Sequence, residues 1–144
     1  MIPMSDPIFH TFADGPTMVA PYSHAVQVGD WLFVTGQMPI DADGTIPEGI
    51  EAQTRSVVRN LHDVMQRCGF GDADIVQARV YLTRFDEHYE RMNGAYRELF
   101  PDGRLPARTC IGVTALARSC EIEIDMVAKR RGVVAGAAAA SPNP

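Results

Sequence analysis

Between residues 49 and 68, apolar or small side chains recur at positions 50, 54, 57, 58, 61, 64, 65 and 68, and Gly69 follows as a stop. That three-four rhythm is a helix with a single apolar stripe, and the stripe must be buried against a second apolar surface. The flanking sequence offers one. Ala25–Val28 and Trp31–Thr35 are apolar runs separated by Gly29-Asp30, the pattern of a two-residue hairpin. Ile75–Thr83 alternates Val76, Ala78, Val80 and Leu82 against Ile75, Gln77, Arg79, Tyr81 and Thr83, a strand with one apolar and one mixed face. Phe85, Tyr89, Met92, Tyr96, Leu99 and Phe100 trace a second amphipathic helix, ended by Pro101-Asp102-Gly103. Two further strand-like segments close the chain, and Ile8–Phe12 is a candidate edge strand. The order predicts a single-domain α+β fold, a mixed sheet with both helices on one face.

The domain is expected to span 1–131. The Ala-rich stretch 132–144, closed by Ser-Pro-Asn-Pro, lacks core periodicity and reads as a disordered tail. Three cysteines without a CxxC pair, and no apolar signal or membrane segment, predict a reduced, cytoplasmic protein. A net charge of −5 argues against a broad nucleic-acid footprint, leaving small molecules and other subunits as the expected partners. His10, His24, His62 and His88 form no ligand spacing, and Asp41-Ala42-Asp43-Gly44 lacks the acidic twelfth position of a calcium loop. No metal is expected.

Chemistry concentrates in the last two segments. Pro106-Ala107 imposes extended geometry, so Arg108 opens a strand with a guanidinium fork suited to a carboxylate. In 121–128, Ile122, Ile124, Met126 and Ala128 share one face and Glu121, Glu123 and Asp125 the other. If the two strands pair, Arg108 faces Glu123, which then stays ionised beside the cation and can orient a water. A structural ion pair of Arg108 with any of the three carboxylates is the competing reading, and spacing does not rank them. Cys110 is expected to wall the pocket rather than attack as a nucleophile, since no histidine stands at a base-like spacing. Asn93, on the inward helix face, needs partners or a ligand, and Tyr22 precedes the first hairpin strand as a pocket wall or a packed ring. The face without helices should display Trp31, Phe33, Thr35, Gln77, Arg79, Tyr81, Arg108, Cys110 and the late carboxylates. That mixture suits burial against another subunit.

The blocks Pro21-Tyr22-Ser23-His24-Ala25-Val26, Val34-Thr35-Gly36-Gln37-Met38-Pro39, Gln53-Thr54, Asn60-Leu61, Asn93 with Tyr96 and Phe100, Pro106-Ala107-Arg108-Thr109-Cys110 and Glu121-Ile122-Glu123-Ile124, in this order, resemble the RidA (YjgF/UK114) family. The resemblance implies a chorismate-mutase-like fold, a homotrimer with clefts between subunits, and no cofactor. It implies hydrolysis of 2-enamine and 2-imino acids of the 2-aminoacrylate type to 2-keto acids and ammonia, a hydrolase acting on C=N bonds. By position, Arg108 matches the carboxylate clamp and Glu123 the water-placing carboxylate. Cys110 matches a residue whose backbone lines the site, and Tyr22, Thr35, Gly36 and Asn93 match pocket positions. Thr35 stands where many members have serine, Gly112 where several carry a larger side chain, and Ala117-Arg118-Ser119 replaces a proline-containing turn. Relatives also include aminomuconate-type and aminoacrylate-type deaminases, so the substrate stays open. A non-catalytic carboxylate-binding trimer is one rival reading. A ribonuclease is another, disfavoured by the acidic balance and the missing basic, base-stacking strip.

Overall fold

The apolar stripe forms helix α1 (Ile50–Arg67), and the stop at Gly69 is local chemistry. Gly69 takes a positive φ of 82°, its N–H donates to Gln66 O, and the Phe70 N–H reaches back to Met65 O at 2.9 Å. Such a closure satisfies orphan carbonyls and drives Phe70 into the core. The second stripe forms α2 (Phe85–Glu98). In this computed structural model, which describes residues 6–131, both helices pack on a six-stranded sheet. The expected tail at 132–144 lies outside the described residues.

The strands are β1 (Ile8–His10), β2 (Ala25–Val28), β3 (Trp31–Gln37), β4 (Ile75–Leu82), β5 (Ala107–Gly112) and β6 (Ile122–Lys129). Their spatial order is β1-β2-β3-β6-β4-β5, so the sheet is mixed: β5 lies parallel to β4, across the α2 crossover, and every other pair is antiparallel. The hairpin turns at Gly29, whose φ is 57°. Val34, Val57, Leu61, Val80, Met92, Ile122, Ile124 and Met126 belong to the core between sheet and helices.

Two expectations are corrected. First, β5 and β6 do not pair, because β4 lies between them. Second, the strict alternation read for 75–83 fails at its start. The β4–β6 register shifts between Ile75 and Gln77, which buries Ile75 and leaves Val76 41% exposed. A bulge inserts one residue and reverses the parity of everything before it.

Candidate active site

Arg108 opens β5 in register with Ala78, and Ala78 pairs on its other side with Met126; both are core residues. Arg108 therefore points into the helix layer, not onto the open face where the sequence placed it. Its guanidinium carbon lies 5.0 Å from the Tyr96 ring centroid and 6.0 Å from that of Tyr89, with Nη1 4.0 Å from Met92 Sδ. Aromatic faces hold the cation without neutralising it. The competing carboxylates are engaged elsewhere or turned away. Glu121 pairs with Arg84, and Asp125 takes a two-pronged clasp from Arg79 at 2.9 Å on both arms. Among the described residues no carboxylate pairs with Arg108, so the structural ion pair is not formed within the chain.

Beside the guanidinium is a cleft of about 240 Å³ lined by Asn93, Tyr96, Arg97, Leu105, Pro106 and Arg108. Asn93 Oδ1 and the Tyr96 hydroxyl are buried without a hydrogen-bond partner, a costly state that a ligand can relieve. Burial pushes the Tyr96 hydroxyl up to about 12, against the pull of Arg108, so it keeps its proton. Cys110 lies in register with Val80 and packs against the core; it too faces the helices, not the open surface. Burial raises its thiol and outweighs Arg108, which leaves a poor nucleophile, and Cys110 is not among the residues that line the cleft.

Glu123 sits in register with Tyr81, whose other neighbour is Ile111, on the face the helices leave bare. It is thus on the opposite side of the sheet from Arg108. The expectation that Arg108 would hold it ionised is also overturned: burial first, and the nearby Asp125 second, raise its carboxyl above the ordinary value. Its carboxylate rests on Gly36. The β3–β6 register shifts between Val34 and Gln37, and a Cβ on Gly36 would run into the Glu123 side chain. The bulge extends the site toward the first hairpin. Thr35 Oγ1 donates to Ser23 O at 2.6 Å, and Tyr22 Oη accepts the Val19 N–H at 3.2 Å.

The candidates thus fall into two half-sites. Arg108 and Asn93 form one on the helix side, with Cys110 on the same sheet face behind the cleft, while Glu123, Gly36, Thr35 and Tyr22 lie toward the other. Tyr89 and Arg97 were missed as site residues, although their spacing around Asn93 on one helix was the available signal. Gly112 does not line the cleft; it packs against Phe85, and a Cβ there would lie 3.0 Å from Phe85 Cβ.

The Endoribonuclease L-PSP family model matches residues 12–130, which includes both half-sites. The chain belongs to this family, the RidA/YjgF family. Among its RidA-family relatives, a RutC family protein of Pyrococcus horikoshii is 35% identical over 117 residues, covering 80% of this chain and 91% of the relative. The 2-iminobutanoate/2-iminopropanoate deaminase of Salmonella typhimurium is 29% identical over 121 residues, covering 82% and 94%. The crystal structure of E. coli TdcF with bound serine superposes with a TM-score of 0.79 at 25% identity, covering 86% of this chain and 99% of that one. The α+β architecture read from the sequence is the one these RidA-family structures share.

Proposed function

We propose that this protein hydrolyses 2-imino acids, and the enamines in equilibrium with them, to 2-keto acids and ammonia. The observation that carries this reading is an arginine cation seated on aromatic faces, free of any carboxylate among the described residues, beside a cleft with an unpartnered amide oxygen. Such a fork takes a substrate carboxylate in two parallel hydrogen bonds. The named activity of the Salmonella relative supports the same chemistry.

In the reaction, water attacks the electrophilic iminium carbon, forming a C–O bond as the C=N π pair moves to nitrogen. Glu123 takes the water's proton and returns one to the nitrogen. The protonated carbinolamine then expels ammonia as Glu123 takes the hydroxyl proton and the C–O bond becomes a carbonyl, and that proton leaves with ammonia as ammonium. A carboxyl raised by burial suits both halves of that exchange. Orientation and fixed charge supply the acceleration, so the chemistry requires no cofactor.

Arg108 and Glu123 lie on opposite sheet faces, so a complete site needs Glu123 from a neighbouring copy. We accordingly read the protein as a homotrimer with clefts between subunits. The adjacent positions Phe9, Val26 and Phe33 favour this, since Phe9 is 68% and Phe33 49% exposed on the bare face.

The test is ammonia release from 2-iminopropanoate generated in situ by an amino-acid oxidase. Arg108→Ala is expected to lower kcat/KM by about a hundredfold, the scale of truncating one member of a desolvated charge pair, with Arg108→Lys recovering only part. A wild-type rate no faster than that of Arg108→Ala would leave a carboxylate-binding protein without turnover.

A further inference from the structure

One wall of the Arg108 cleft is the last part of α2, and it carries a second guanidinium. Asn93 and Arg97 are four residues apart, so they project from one helix face, and both line the cleft. Other helix arginines are committed: Arg91 to Glu51 at 2.8 Å and Arg55 to Glu98 at 3.0 Å. Arg97 and Arg108 form no ion pair among the described residues, and the cleft lining contains no carboxylate to balance them. Two like charges facing one small space repel unless an anion lies between them. The buried Tyr96 hydroxyl and Asn93 Oδ1 add an unused donor and an unused acceptor to the same wall.

We propose that the preferred substrates are 2-imino dicarboxylic acids, with Arg108 holding the carboxylate next to the imine carbon and Arg97 the distal one. The Tyr96 hydroxyl donates to a carboxylate oxygen, and Asn93 Oδ1 accepts an N–H of the imine or enamine nitrogen. The assignment rests on the deaminase reading for the role of Arg108. Arg97 is exposed, so water and salt screen its contribution. A gain of about five- to tenfold is expected from it, not the larger effect of a buried pair.

Two keto acids serve as stable probes, 2-oxoglutarate for the diacid and 2-oxobutanoate for the monoacid, with titration calorimetry on the full chain. The wild type is expected to bind the diacid about five- to tenfold more tightly at low salt, the preference shrinking as sodium chloride is added. Arg97→Gln should abolish the preference and Arg97→Lys keep most of it, a split that a merely structural arginine would not produce. Equal affinities in the wild type, or a preference that survives Arg97→Gln, overturn the assignment. Ammonia release from iminopropanoate and from iminoglutarate separates the two readings. Turnover of the monoacid alone sinks the dicarboxylate assignment and leaves the deaminase. A diacid preference with turnover of neither sinks the deaminase and leaves the ligand class.

Discussion

Arg108 and Glu123 are prepared for chemistry by opposite means. The cation is surrounded by aromatic faces that attract it without supplying a counter-charge. The carboxylate is partly desolvated, which disfavours its charge, and Asp125 adds repulsion. A raised Glu123 places the acidic limb of the kcat/KM profile at higher pH than an ordinary carboxylate would, because the ionised form must accept the water's proton. Asp125→Asn removes the repelling charge and leaves Arg79 without its partner; both changes favour ionised Glu123. The limb should therefore move to lower pH, which a pH-rate profile on 2-iminopropanoate would detect; a shift to higher pH contradicts this electrostatic account. Ranking the three carboxylates was beyond sequence spacing, since all share a strand parity. The family resemblance singled out Glu123 by position, and the pairing of Glu121 with Arg84 and of Asp125 with Arg79 is the physical feature that distinguishes it.

At the scale of elements, the two register shifts do different work. The one in β4 exchanges Ile75 for Val76 in the core, and the one in β3 brings the Gly36 backbone beneath the Glu123 carboxylate. Gly36 does not have a positive φ, so alanine there is strained by space alone. The atoms in its way are the Glu123 side chain, which can move. Gly36→Ala should therefore lower kcat/KM by about tenfold or more through displacement of Glu123, while Tm changes by only a few degrees. A large loss of Tm would mean that the bulge itself depends on glycine. Helix α1 was legible down to its last turn, because its stripe and its closure at Gly69 are local. Neither bulge was, because a bulge is defined by what the partner strand leaves unpaired.

For the whole molecule, the decisive fact is that the two half-sites face away from each other across one sheet. In the proposed homotrimer, Arg108 of one copy meets Glu123 of the next. Arg108→Ala and Glu123→Ala proteins, each nearly inactive alone, should then regain ammonia release when their subunits are mixed and reassembled. Mixed trimers contain clefts with both side chains intact. No recovery, despite verified exchange of subunits, would confine the chemistry to a single chain. The acidic balance and the mixed apolar and polar character of the bare face pointed the sequence reading toward small ligands and other subunits; the structure adds which side chains each face presents.

What the sequence determined by itself was everything carried by short-range periodicity and local chemistry: two striped helices, the hairpin at Gly29, the strands, and the residue types able to clamp a carboxylate or place a water. Side-chain direction within a strand follows a period of two, so the relative parity along β6 was also readable. The tertiary structure alone decided that β4 lies between β5 and β6, that Arg108 turns under the helices, and that Glu123 faces away from it. Which face a strand turns to the core depends on its register against neighbours distant in sequence. A single step of register reverses every side chain, and here that choice put the clamp and the carboxylate on opposite sides of one sheet.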